Sequence, residues 1–236
     1  MRAIPAALTA AVLATCGCGG AGARGDSKAT RAGASTGTAG ATTSTGAGTP
    51  AGAGAAGASP CGSAGGHTLA ADRIARVYSL GGAVYGCRRG THHSYRLGAA
   101  SRSIREGRVG PVALAGAIAA YGLASFGVDT GSSQVVVRRL SDGHQLKALA
   151  TVTRPLGPES YVSVGSVVVR SDGAVAWIGV GASIIRHGRD VEVHRDDSRG
   201  GRLLDASTAV DPGSLRLTGS TLRWTHGGSR HTADLQ

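Results

Sequence analysis

Asp129 lies in Phe126-Gly127-Val128-Asp129-Thr130-Gly131-Ser132-Ser133, a carboxylate set in a short polar, Gly-containing segment. Hydrolysis by paired carboxylates needs two such groups sharing one proton, because adjacent like charges force one pKa upward. No second Asp-Thr-Gly or Asp-Ser-Gly occurs in the chain, so the partner would have to come from a second copy. The simpler role for Asp129 is an Asx-type turn in a loop. Gly33-Ala34-Ser35-Thr36-Gly37 has the Gly-x-Ser-x-Gly spacing of a nucleophile turn, but neither a strand before it nor a helix after it is legible. Arg24-Gly25-Asp26, close by, reads as a coincidence of composition. His92 and His93 could ligate a metal, yet neighbours on a strand point to opposite faces, and no His-Glu-x-x-His cluster accompanies them. They are expected at exposed strand positions. His187 and His194 also lack a legible carboxylate or thiolate partner. No metal and no cofactor is implied.

The elements that must carry these residues are set by composition. Of 236 residues 40 are Gly, while aromatics make only 3%, which excludes a large aromatic-rich core. From Gly19 to Pro60 all but Arg24, Asp26, Lys28 and Arg31 are Gly, Ala, Ser, Thr or Pro. Such a stretch buries too little apolar area to offset the entropy of ordering it, so residues 19–60 are predicted to be a disordered linker. Residues 61–236 are long enough for one domain. Within them Cys61 and Cys87 stand alone; with no second Cys two to four residues from either, a disulfide is expected rather than a zinc site.

Short β-type runs separated by Gly-containing turns fill that domain. Val112 to Tyr121 and Leu215 to Trp224 share one pattern: alternating apolar residues, a Gly, and an aromatic five residues later. Val167 to Trp177 is a longer version turning at Asp172-Gly173, and Arg76 to Cys87 is a looser one with Gly81-Gly82 and Tyr85. Each reads as a hairpin. Fourteen residues after Tyr121 comes Val135-Val136-Val137, and fourteen after Trp177 comes Val191-Glu192-Val193. The spacing predicts four unequal antiparallel sheets, each burying a face against its neighbour. Tyr85, Tyr121, Trp177 and Trp224 occupy corresponding strand ends and are expected as core between sheets.

Met1-Arg2 followed by the apolar run Ala3 to Ala14 has the proportions of a secretory signal, and the run is too short for a membrane span, which needs about 20 apolar residues. Residues 1–18 are assigned to it. Leu13-Ala14-Thr15-Cys16 resembles the lipobox of bacterial lipoproteins; the resemblance implies lipidation at Cys16, with Cys18, preceded by Gly17, as the alternative. An ordinary cleaved signal remains the other reading. The expected location is extracytoplasmic, lipid-anchored at the cell membrane or secreted, which is also where a disulfide persists.

The strand, Ser-Asp-Gly turn, strand ending in Trp, then strand and Gly turn of Val167 to Gly200 resembles the blades of secreted β-propellers of the TolB and WD-repeat kind. No Trp-Asp dipeptide ends a blade here, and the repeats are unequal. The resemblance implies an all-β fold, a closed or open propeller-like arc of four repeats, with a β-sandwich as the alternative, and a scaffold for binding. Asp129-Thr130-Gly131-Ser132 is similar to the aspartic protease motif, which implies a homodimeric hydrolase as the alternative function; Ile184-Ile185-Arg186-His187-Gly188 is a distorted form of the later segment of that family. The formal charge is +11, with 23 of the 25 cations Arg and no Asn anywhere. GC-rich coding produces that skew by itself, so a nucleic-acid partner is not inferred. Arg88-Arg89, Arg102/Arg105/Arg108, Arg138-Arg139 and Arg186/Arg189 form a basic surface. It is either simply solvated or attracted to an anionic polymer, lipid headgroup or protein of the envelope.

Overall fold

A two-residue hairpin turn of type I′ needs positive φ at both central positions, which Gly adopts without strain. Gly81-Gly82 and Gly227-Gly228 both do so, with φ of 57° and 79° in each pair. The strands that such turns connect were obtained from a computed structural model, which describes residues 61, 65–103, 105–127, 131–154, 156–157, 160–183 and 189–236. Every described residue belongs to the unit Gly52–Gln236.

The fold is all-β. β1 (His67–Ala71), β2 (Ala75–Leu80), β3 (Ala83–Arg88) and β4 (Ser94–Ala99) form a first antiparallel set. β5 (Arg108–Ala115), β6 (Ile118–Phe126), β7 (Gly131–Arg139) and β8 (Gln145–Ala150) form a second. β9 (Ser160–Val169), β10 (Val175–Ser183), β11 (Arg189–Asp197) and β12 (Gly200–Ala206) form a third. β13 (Arg216–Thr218), β14 (Thr221–His226) and β15 (Ser229–Asp234) form the last.

Four separate sheets were expected; the first three are instead continuous in one 12-stranded mixed sheet, with the fourth separate. The joints are narrow. Ala99 pairs with Arg108 and Gly131 with Tyr161, one residue pair each and both parallel. The strands diverge beyond these points, and the antiparallel sets pack face to face. Among the described residues no closed barrel or propeller forms.

Three apolar clusters lie between successive sets. Val77, Val84 and Leu97 of the first meet Ala119, Tyr121 and Val136 of the second. Ile118, Ala120 and Val135 of the second meet Val167, Val175 and Trp177 of the third. Ala176, Ile178 and Val193 of the third meet Leu222, Trp224 and Leu235 of the fourth. Alternate residues of one strand therefore serve different clusters, as a period of two requires. The second and third sets are buried on both faces, and packed sheets stand only about 10 Å apart. Ala and Val fill that space, which accounts for a core with few aromatics.

The corresponding aromatics share a task. Tyr121 is 1% exposed, Trp177 4% and Trp224 5%, and each is tied back to the preceding set. Trp177 Nε1 donates to the Thr151 carbonyl just after β8 (2.9 Å), and Trp224 Nε1 to Asp205 Oδ2 on β12 (2.8 Å). Tyr121 does this through Arg138, which lies beside its hydroxyl and donates to the Arg96 carbonyl on β4 (3.4 Å). Tyr85 departs from the expectation of a place between sheets. Among the described residues no set precedes its own, and it is half-buried, stacked on Tyr78 at 5.8 Å between ring centroids. There the Cys61–Cys87 disulfide, with Cα atoms 5.7 Å apart, closes the same cluster.

Candidate functional site

The alternation Val191-Glu192-Val193-His194 reads as two core residues and two exposed polar ones. β11 belongs to a set covered on both faces, so Glu192 and His194 are buried against the second set, with side chains 1% and 4% exposed. His194 is the β11 neighbour of Trp177 on β10 across the ladder, and the two rings stack at 5.0 Å. His194 Nε2 lies 2.7 Å from Glu192 Oε2. The same carboxylate accepts from Thr153 N (2.7 Å), Thr153 Oγ1 (3.0 Å) and Arg154 N (3.2 Å). Burial pushes the His194 imidazole below its ordinary pKa, only partly offset by Glu192. Burial alone would raise the Glu192 carboxyl, but its hydrogen bonds from Thr153, His194 and Arg154 together hold it below its ordinary value. An ionised Glu192 beside a neutral His194 follows, with the Nε2 proton donated to the carboxylate. The expectation that His194 has no carboxylate partner is thus corrected. Covering both sheet faces brings the partner inside.

A carboxylate orienting an imidazole is half of a nucleophile-activating triad. Among the described residues no hydroxyl is shown bonded to the His194 ring, and Thr153 Oγ1 donates to Glu192 itself. His194, but not Glu192, lines a cleft of about 290 Å³ together with Leu149, Thr153, Trp177, Arg202 and Leu203. The geometry of the pair makes it a buried polar clasp between the second and third sets. A second clasp joins the third and fourth: Asp205 Oδ2 accepts from Trp224 Nε1 and lies 2.9 Å from His226 Nδ1.

The predicted lipid acceptors Cys16 and Cys18, the signal and linker, Asp129, and Ile184 to Gly188 all lie outside the described residues. His92 and His93 are exposed but precede β4, because pairing with β3 begins at Ser94. Among the described residues no three potential metal ligands come together.

Arg residues adjacent in sequence are mostly engaged within the fold. Arg102 and Arg108 lie over the Phe126 ring, Arg139 pairs with Asp142, Arg89 donates to the Asp72 carbonyl, and Arg138 serves Tyr121. A different basic group escapes a reading by adjacency. On the fourth set alternate residues face outward, and Arg216 lies directly opposite Arg223, with Arg230 on β15 opposite Thr225. These three and Ser214, Thr218 and Thr225 line a shallow groove of about 440 Å³. Among the described residues none of the three is in an ion pair with a carboxylate. Like charges directly opposed across a ladder are destabilising, so the fold retains an arrangement that costs it stability. The signal was present in Leu215-Arg216-Leu217-Thr218 and Leu222-Arg223-Trp224-Thr225, where each Arg alternates with inward residues, whereas Arg230 lies among exposed neighbours on β15.

No family model matches the chain, and no curated protein is significantly similar to it.

Proposed function

We propose that this protein is an exported binding or scaffold protein of the cell envelope. It is held at the membrane by a lipid on Cys16, with Cys18 as the alternative acceptor, and its domain, an open propeller-like arc of four β-repeats, presents a basic face to an anionic envelope polymer. The observation that carries the reading is the outward face of β13, β14 and β15, where Arg216, Arg223 and Arg230 stand together among Thr residues without a neutralising carboxylate. A flat face of three guanidinium groups suits an extended polyanion, and its attraction falls as salt rises. The Gly/Ala/Ser/Thr-rich stretch 19–60 supports a tether that lets the domain reach such a polymer from an anchored N-terminus. The hydrolase alternative rests on Asp129, which lies outside the described residues.

Two measurements test this. Radiolabelled palmitate should enter the wild-type chain expressed in a bacterial host and be lost in Cys16→Ala; incorporation unchanged in Cys16→Ala moves the anchor to Cys18, and none in wild type removes it. Co-sedimentation with an anionic wall polymer should weaken from low to high salt and disappear in the triple variant Arg216→Glu/Arg223→Glu/Arg230→Glu. Retention by that variant sinks the assignment of the face.

A further inference from the structure

A separate cleft of about 290 Å³ lies between the edge strand β12 and β15, lined by Arg195, Arg199, Arg202, Leu204 and Ala233, with Asp234 at its rim. Arg195 and Arg202 are direct partners across β11 and β12, and Arg199 sits in the turn joining those strands. The Arg195 side chain is only 8% exposed. Its Nη1 is committed, donating to Asp197 Oδ2 and to the Asp234 carbonyl, both at 2.8 Å. Its Nε is buried and has no acceptor. With Nη1 occupied and Nε buried, Nη2 is the Arg195 donor left for an oxygen of a ligand.

The local carboxylates do not answer for this donor. Asp197 is saturated: it takes Arg195, Arg199 Nη2 at 3.1 Å, and the backbone N–H groups of Arg199 and Gln236. Asp234 is an exposed residue whose recorded contribution is its carbonyl, which also accepts from Arg199. Arg202 is in no ion pair among the described residues. Three guanidinium groups thus face two carboxylates, with one buried donor unused. The opposed like charges cost the fold stability, and a bound oxyanion relieves that cost.

We propose that this cleft is a binding site for a single phosphate group, either free or as an ester. A tetrahedral oxyanion offers an oxygen each to Arg195, Arg199 and Arg202, which a carboxylate does not. The volume leaves room beside the phosphate for a small substituent against Leu204 and Ala233. The inference does not depend on the basic outer face, whose residues are different ones.

The test uses the purified full chain, titrated with inorganic phosphate, glycerol phosphate or acetate at constant ionic strength, followed by thermal unfolding and calorimetry. A saturable rise in Tm with phosphate or its ester, and none with acetate, is expected. Arg202→Gln, which removes no recorded protein contact, should weaken phosphate affinity about tenfold or more, the value of one hydrogen bond to a charged group, without lowering the Tm of the phosphate-free protein. Arg230→Gln, on the outer face, should leave phosphate binding unchanged. Stronger binding of the ester assigns the site to a phosphorylated headgroup or polymer, and binding of inorganic phosphate alone to the free ion; both outcomes support a phosphate site. No saturable response to either, an equal response to acetate, or unchanged affinity in Arg202→Gln overturns it.

Discussion

Replacing Gly179 by Ala sets a methyl group where β10 passes under the connection that follows β8. An ideal Cβ at this position would lie 2.0 Å from the Thr151 carbonyl oxygen, 2.9 Å from its carbon and 2.9 Å from Val152 Cγ1. Two of these atoms are backbone, so no side-chain rotation relieves the clash; Thr151 O or β10 must withdraw by roughly 1 Å merely to restore a distance of 3.0 Å. That oxygen is the acceptor for Trp177 Nε1, so the same shift strains the tie between the second and third sets. Overpacking costs about 1–3 kcal/mol, and a weakened hydrogen bond at a buried indole adds about 0.5–1.5 kcal/mol. The expected destabilisation is about 2–4 kcal/mol, equivalent to roughly 5–15 °C in Tm for a domain of this size. Gly110→Ala is the control: its Cβ would meet nothing closer than 3.7 Å and its φ is not positive. It should be neutral, or stabilise by up to about 1 kcal/mol through the unfolded state. Urea unfolding followed by Trp fluorescence measures both. A Gly179→Ala midpoint equal to that of wild type would refute the close approach and the role assigned to Trp177.

Stability should fall as pH drops from 7 to 4. His194 is held below its ordinary value of 6.5, so the unfolded chain takes the proton first and stability declines from about that pH downward. Glu192, held below 4.5, adds a further loss as pH falls through its lowered folded-state value. His194→Gln keeps a donor to Glu192 and does not titrate, so urea midpoints for this variant should lose the upper part of the slope; an unchanged pH profile would exclude His194 as its source. Cys61→Ser/Cys87→Ser releases a loop with a sequence separation of 26 and should cost about 3–4 kcal/mol on the chain-entropy account. Reducing agent should lower the wild-type Tm to that of the double variant and leave the variant's own Tm unmoved.

The hairpins were legible because turn chemistry and period-two alternation are local. Gly116 sits between paired Ala115 and Ile118, and Gly219 between paired Thr218 and Thr221, as their sequence patterns require. The buried Glu192 and His194 were not legible. Alternation says which residues share a face, but whether that face meets water depends on how many sheets cover it. Tyr85 was misread for the complementary reason: its position in the repeat matches Tyr121, but among the described residues its set has no predecessor to face. The parallel joints at Ala99–Arg108 and Gly131–Tyr161 involve one pair each and leave no periodic trace. The Arg216–Arg223 juxtaposition needed the register, which neither residue's neighbours in sequence supply.

Because the ties of Tyr121, Trp177 and Trp224 all reach backward, this series has a direction. Trp224 depends on Asp205, Trp177 on Thr151, and Tyr121, through Arg138, on Arg96, whereas none of these ties needs anything later in the chain. A chain that emerges N-terminus first can therefore complete each set on a finished template, starting from the one stapled by Cys61–Cys87. Truncations should be unequal in consequence. Loss of β13 to β15 bares Ala176, Ile178 and Val193 but leaves the two earlier ties whole. Loss of β1 to β4 strips Arg138 of its acceptor and leaves Tyr121 facing solvent, so the remainder begins from a set with no foundation.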